Sequence, residues 1–319
     1  MEVVQHDHEA NPACRSFGDI KVVGPGIVSV VIVAYKSAET IEDCVRACAT
    51  DPAVAAVVVV DNSSDEMTKA IVSKLGRSNP AVSYVANSNE GFSKGCNLGA
   101  RHGAAKAPVL AFINPDVFIS KSLRPLAQRA LHGGIVGGDI VPTLNYPWLS
   151  CRPLPSRIRE AVKAVVGPAV YRQKAGVRGD WRRVGQLMGA LLVINVEVFK
   201  RLGGFDERFE LYYEDVDICE RASQYGGCTL HTETYGLHVG GVSSSASSGR
   251  AYVAGRISRI RYWRKRGETG TDAYLALLAV IEFVARSVAR RSEGQGARRS
   301  ALSLQFEELR RPGSVTVLR

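Results

Sequence analysis

The run Ile27-Val28-Ser29-Val30-Val31-Ile32-Val33-Ala34 constrains the fold of this chain more than any other feature. A continuous β-branched stretch leaves no polar face for water, so it predicts a strand buried on both faces of a parallel sheet. Residues 55–60, 82–85 and 109–113 read as further strands of the same kind. Between the first two, residues 38–49 place Ile41, Val45 and Cys48 at helical spacing, and residues 91–104 predict a helix entered through a glycine-rich turn. Short buried strands alternating with helices predict an α/β domain. Its central sheet is mostly parallel and flanked by helices, with ligands held at the carboxyl ends of the strands.

Polar clusters sit at those ends. Asp61-Asn62-Ser63-Ser64-Asp65 follows the second strand, Asn89-Glu90-Gly91-Phe92-Ser93-Lys94-Gly95-Cys96-Asn97 opens the glycine-rich helix, and Asn114-Pro115-Asp116 follows the fourth strand. Each is also what an ordinary turn requires, and Asp61 by itself reads equally well as an Asx-turn residue. Residues 146–184 are rich in Pro, Arg and Trp with weak periodicity, predicting an irregular loop region over the site. A strand returns from Leu187, a helix covers residues 196–202, and Gly203-Gly204-Phe205-Asp206 turns the chain toward a helix opening with Glu214-Asp215-Val216-Asp217. Taken alone, these acids are what a helix N-terminus favours.

Composition narrows the classes. A hydrophobic content of 45% excludes wholesale disorder. Seven scattered cysteines without a C-x-x-C pair exclude a disulfide framework and a zinc site, and read as buried thiols. The net charge of +10 implies an anionic partner, and its basic residues concentrate after residue 250. There Arg256 to Arg266 interleaves with Ile257, Ile260, Tyr262 and Trp263, ahead of an apolar stretch at 273–285 too short for a spanning helix, which needs ~20 residues. The pattern suits an amphipathic element on an anionic membrane, or a solvated helical surface packed on the domain. No nucleic-acid-binding module is recognisable, so nucleic acid is not the expected partner. The expected organisation is a flexible segment over 1–26 without a signal sequence, a catalytic domain over 27–245, a basic helical extension over 246–291 and a mobile tail over 292–319. The expected location is the cytoplasm, at the inner face of the cell membrane.

In their order, these motifs resemble the family 2 glycosyltransferases of the GT-A fold, across residues 28–238. Within them, the pattern is most similar to the bacterial rhamnosyltransferases of cell-wall and polysaccharide assembly. The resemblance implies a nucleotide-sugar donor (a dTDP- or UDP-sugar, dTDP-rhamnose first), a divalent cation (Mg2+ or Mn2+), a lipid-linked or polysaccharide acceptor, and peripheral membrane association. UDP-galactose, UDP-galactofuranose and UDP-GlcNAc are the alternative donors. By resemblance, Asp61 accepts from the donor pyrimidine, with Ala34 and Tyr35 lining the base pocket. Asn89 and Gly91 let the backbone approach the donor, while Lys94 and Asn97 reach phosphate or sugar. Asn114 touches the donor sugar or ribose, Asp116 binds the cation, and His238 touches the cation or the diphosphate. Asp215 is the expected general base, Glu214 its competitor, and Asp217 a support for the helix start. Trp181 and Met188-Gly189-Ala190 are expected to shape the acceptor pocket. One base without a covalent nucleophile implies inversion by single displacement. Outside the enzymes, the rival is a non-catalytic nucleotide-sugar binding protein, against which the retention of Asp116 and Asp215 argues.

Overall fold

The β-branched runs form strands where their patterning predicts them. The computed structural model describes residues 26–142, 150–166, 179–239 and 248–288. Their elements run β1 (Val28–Ala34), α1 (Ile41–Ala49), β2 (Val54–Asp61), α2 (Glu66–Ser78), β3 (Val82–Ala86), α3 (Phe92–Gly103), β4 (Val109–Ile113), β5 (Val117–Ile119), α4 (Arg124–Ala130) and β6 (Ile135–Pro142). There follow β7 (Cys151–Arg152), α5 (Arg157–Val166), β8 (Trp181–Val184), β9 (Gln186–Leu187), β10 (Leu191–Asn195), α6 (Val196–Arg201), α7 (Glu214–Arg221), β11 (Cys228–His238), α8 (Ser248–Arg266) and α9 (Thr271–Val288).

Among the described residues, nine strands make one sheet in the order β3-β2-β1-β4-β10-β6-β11-β5, with β8 also on β11. The four strands β3, β2, β1 and β4 are mutually parallel, β10 runs against β4 and β6, and β11 runs parallel to β6. The sheet is therefore mostly parallel, and β5 and β8 share the outer edge of β11 at its two ends. Helices α1, α2 and α4 bury their apolar stripes on one face, and α3, α6 and α7 on the other. Every residue of β1 is buried, as a strand covered on both sides requires.

Helix α3 docks through glycine. A Cβ on Gly95, Gly99 or Gly103 would stand 2.8 Å from Val33, 2.3 Å from Val31 and 3.1 Å from Ser29. Successive helical turns thus sit on alternate residues of β1. The small residues of this segment serve helix–sheet packing, which differs from the expected close approach to a ligand.

Three other expectations are changed or decided. Residues 146–184 hold the helix α5 and strands β7 and β8, so this stretch is only partly irregular. The Arg and aromatic run 256–266, expected either on a membrane or packed on the domain, packs on the domain through residues 256–263. Ile260, Tyr262 and Trp263 pack on Phe209, Val216 and Leu275, while Arg259 is 4% exposed and pairs with Glu282. Strands β6 and β11 and helices α2 and α4 were not anticipated. Residues 1–25, the boundary at 240–247 and the tail 292–319 lie outside the described residues.

Candidate active site

The carboxyl ends of β1, β2 and β4 carry the first group of residues. Ala34 is fully buried and lies opposite Asp61 across β1 and β2. Tyr35 follows, half-buried, its N–H donating to the Ser37 hydroxyl, and Lys36 adopts a φ of 50° as its N–H donates to Ser63. Asp61 is itself fully buried. Its Oδ1 accepts from the Ser63 N–H and hydroxyl, at 2.8 and 2.6 Å, and its Oδ2 from the Asp65 N–H and the Tyr84 hydroxyl, at 3.1 and 3.0 Å. Four donors fill the lone pairs a carboxylate offers. Burial and the neighbouring Asp61 in turn push the Tyr84 hydroxyl up to about 12. Asp61 is thus the Asx-turn anchor of the β2–α2 corner, which fixes Ala34 and Tyr35 beside it.

The segment Asn89–Asn97 divides. Asn89 is exposed, and Lys94 pairs with Glu90 at 3.0 Å on the surface. Gly91 has a φ of 104°, a left-handed conformation that glycine adopts without strain, and a Cβ there would stand 2.9 Å from the backbone of Glu210. Asn97 turns away from the strand ends. Its amide donates to the Phe205 carbonyl and Glu207, and its oxygen accepts from the Phe205 N–H at 2.9 Å. It clamps the Gly203–Asp206 turn, so the structure separates it from the other expected donor contacts.

Asp116 and His238 meet. His238 Nε2 lies 3.1 Å from Asp116 Oδ1, because β11 pairs with β5 so that His238 stands opposite Val117. The Val239 N–H donates to the Asp116 carbonyl at 3.0 Å, tying the end of β11 to the Asn114–Asp116 turn. No cluster of three or more candidate ligand side chains occurs among the described residues. One carboxylate and one imidazole could contribute to holding a divalent transition-metal ion such as Mn2+ together with a diphosphate, the carboxylate alone being the ligand suited to Mg2+. Asn114 is half-buried and its N–H donates to the Ala190 carbonyl at 3.2 Å.

That last bond leads to the acid motif. Gly189, next to Ala190, donates its N–H to Asp215 Oδ2 at 3.1 Å, and the Val216 N–H donates to Oδ1 at 2.8 Å. Asp215 is half-buried, and burial raises its pKa against the opposing pull of these N–H groups and of Arg152. Glu214 is buried, with Oε2 lacking a hydrogen-bond partner. Desolvation first, and the Asp215 charge second, raise its carboxyl well above the ordinary range. Asp217 is 3% exposed and receives both Arg221 and Lys265, which makes it a strut of the helix start. Trp181 stacks on His231, at the opposite end of β11 from His238, so it does not join this group.

Residues 29–149 match the family model described as glycosyl transferase family 2. That match and the relatives below make this chain a glycosyltransferase. It is 28% identical over 229 residues to the N-acetylglucosaminyl-diphospho-decaprenol L-rhamnosyltransferase of Mycobacterium tuberculosis, covering 64% of this chain and 73% of that one. It is 28% identical over 208 residues to the low-salt glycan biosynthesis hexosyltransferase of Haloferax volcanii, covering 61% of each. Among solved structures it is similar to the Pyrobaculum calidifontis mannosyltransferase in complex with GDP-Man and Mn2+. That match has a TM-score of 0.50 and 16% identity, over 88% of this chain and 79% of that one. The S. aureus TarS 1–349 structure gives a TM-score of 0.50 and 12% identity, over 89% and 80%. The glycosyltransferase thus has the GT-A fold that these structures share.

Its site also has a backbone feature that the motif does not reveal. Tyr212 and Tyr213 have φ values of 65° and 68°, two consecutive left-handed non-glycine residues just before Glu214. Each such residue costs roughly 1–3 kcal/mol and persists only where surroundings over-determine it. Here the surroundings are α8, whose Ser258 donates to the Leu211 carbonyl at 2.9 Å and whose Tyr262 ring packs 5.3 Å from Tyr213. The α3 N-terminus braces the other side, with Ser93 donating to the Phe209 carbonyl at 2.6 Å. No sequence signal announces a left-handed tyrosine pair. In this transferase, the glycine-rich segment and the basic extension together hold the acid motif in place.

Proposed function

We propose that this glycosyltransferase is an inverting enzyme that moves a sugar from a nucleotide diphosphate donor to a hydroxyl of a lipid-linked glycan, with L-rhamnose from dTDP-rhamnose as the leading donor. The observation that carries the reading is the placement of Asp215. Gly189 holds it next to Ala190, whose carbonyl accepts from Asn114, so the base stands beside the motif that ends at Asp116. The activity for which the mycobacterial relative is named supports both the rhamnosyl donor and a diphosphate-prenol acceptor. The hexosyltransferase relative keeps UDP-galactose, UDP-galactofuranose and UDP-GlcNAc in view.

In this reading, the acceptor oxygen bonds to the anomeric carbon as the bond from that carbon to the diphosphate oxygen breaks, and Asp215 takes the hydroxyl proton. A carboxylate with a raised pKa is a stronger base, which suits an alcohol. Asp116 and His238 would hold a divalent cation; the mannosyltransferase of the same fold was solved with Mn2+. Such a cation supplies neutralisation of the charge growing on the leaving diphosphate. Ala34 and Tyr35 border the nucleotide base, with Asp61 supporting them from its turn. Asn89, Gly91, Lys94 and Asn114 lie on the donor side. A lipid-linked acceptor brings the enzyme to the inner membrane face as a peripheral protein.

The test is nucleoside diphosphate release from a panel of dTDP-, UDP- and GDP-sugars with Mn2+ or Mg2+ and a prenyl-diphosphate-linked N-acetylglucosamine acceptor. Acceptor-dependent release from dTDP-rhamnose supports the full reading. Release from another donor keeps the chemistry and overturns the rhamnosyl assignment. Donor binding without release from any donor overturns the transferase reading in favour of a binding protein.

A further inference from the structure

Helix α5 is built in reverse for a helix in water. It buries Glu160, whereas Ile158, Val162 and Val165, spaced i, i+4 and i+7, are 78%, 41% and 67% exposed. Helix α9 beside it repeats the pattern. Leu277, Val280 and Val284 are 59%, 48% and 53% exposed, while Glu282 is turned inward. The inward acids are met by α8: Arg256 and Arg259 pair with Glu282, and Arg259 stands 3.9 Å from Glu160. The two helices start side by side, the Tyr274 hydroxyl donating to the Arg157 carbonyl at 3.0 Å.

A surface helix in water turns its apolar stripe toward the core. Charges satisfied inside and apolar side chains outside fit a neighbour that is itself hydrocarbon. Exposed apolar faces on adjacent elements mark an interaction surface rather than ordinary solvent contact. No helix among the described residues is long and apolar enough to cross a membrane, so these faces would lie in an interface.

We propose that the apolar faces of α5 and α9 dock this enzyme onto an anionic lipid bilayer. Charge favours that occupant: the chain carries a net +10, and Arg286, Arg290 and Arg291 come directly after the exposed stretch of α9 in sequence. Basic residues beside an interfacial helix are drawn to anionic lipid. Continuity with the site favours it as well. Strand β7, which leads into α5, pairs with β9, and β9 runs straight into Gly189, the residue that holds Asp215. The face is therefore connected through β7 and β9 to the segment that holds the base. The inference rests on the reading that the acceptor is lipid-linked; of the expected basic and apolar element it keeps the apolar stretch of α9, adds α5, and leaves the 256–266 run packed on the domain.

The experiment is co-sedimentation of the full chain with vesicles of phosphatidylglycerol and phosphatidylcholine at near-physiological salt. It compares the wild type with Ile158→Glu/Val165→Glu and Leu277→Glu/Val284→Glu. All four positions are exposed, so circular dichroism and nucleoside diphosphate release in detergent solution should match wild type. Those controls report on the transfer reading independently of vesicles. The expected result is that the wild type pellets and each double variant binds at least about tenfold more weakly. A wild type that stays in the supernatant overturns the proposal, and so do variants that pellet like the wild type. Variants that convert a wild-type dimer to a monomer without changing vesicle binding overturn it in favour of a second copy of the chain.

Discussion

Asp61 and Glu214 are buried acids and Asp215 a half-buried one, and the surroundings of Asp61 and of the Glu214–Asp215 pair differ completely. Asp61 has four donors and holds a turn. Glu214 has an oxygen with no partner, Asp215 accepts from backbone N–H groups, and both sit behind two left-handed tyrosines. A satisfied carboxylate fixes shape, whereas a desolvated one with a raised pKa is suited to take up a proton. The β2–α2 corner is thus a rigid frame, and the acid motif is held under strain by two distant parts of the chain.

The largest test of that contrast is Asp215→Asn. Turnover should fall by about 10²–10⁴-fold while donor affinity stays within a few fold, as measured by nucleoside diphosphate release and titration of donor. Equal loss in Asp61→Asn with normal folding would erase the distinction. Next, Asp116→Ala should lower turnover by about a hundredfold or more and abolish stimulation by Mn2+, read from metal titration of the rate. Asp217→Ala should cost about 1–3 kcal/mol in denaturant unfolding, because Arg221 and Lys265 lose a buried carboxylate while Lys265 keeps Asp206.

Gly99→Ala places a methyl 2.3 Å from Val31 and should cost about 1–3 kcal/mol, seen as a lower Tm. The smallest effect concerns pH. Glu214 binds its proton more tightly folded than unfolded, so stability should decline as pH rises from its ordinary value of 4.5 toward the higher folded value. In Glu214→Gln the decline across that window should be shallower, by up to roughly 1.4 kcal/mol per pH unit. A Tm–pH curve identical to wild type would show that Glu214 is solvated after all.

The strands carrying Asp61 and Asn114–Asp116 were readable from sequence because a buried parallel strand has a one-dimensional signature, and their placement at carboxyl ends follows from strand–helix alternation. The resemblance supplied Asp215 and His238. What the pattern did not reveal was that Asn97 faces the Gly203–Asp206 turn, or that Gly95 and Gly99 serve packing on β1. Polar residues at a helix start look alike in sequence, and only the partner across space separates a clamp from a ligand contact. The two readings of the Arg and aromatic run of α8 stayed open for the same reason. Arginine beside tryptophan reads as a membrane edge until Glu160, Glu282, Asp206 and Asp217 are found opposite.

The sequence by itself determined the α/β class, the strand-end position of the polar motifs and the ordered set that resembles the family 2 glycosyltransferases, because burial period and turn chemistry are local properties. Tertiary structure decided which acids are satisfied and which are desolvated, the pairing of Asp116 with His238, the left-handed Tyr212–Tyr213 turn, and which face of α5 and α9 stays open. Those depend on partners far away along the chain. The cost of burying a charge is set by whatever arrives beside it.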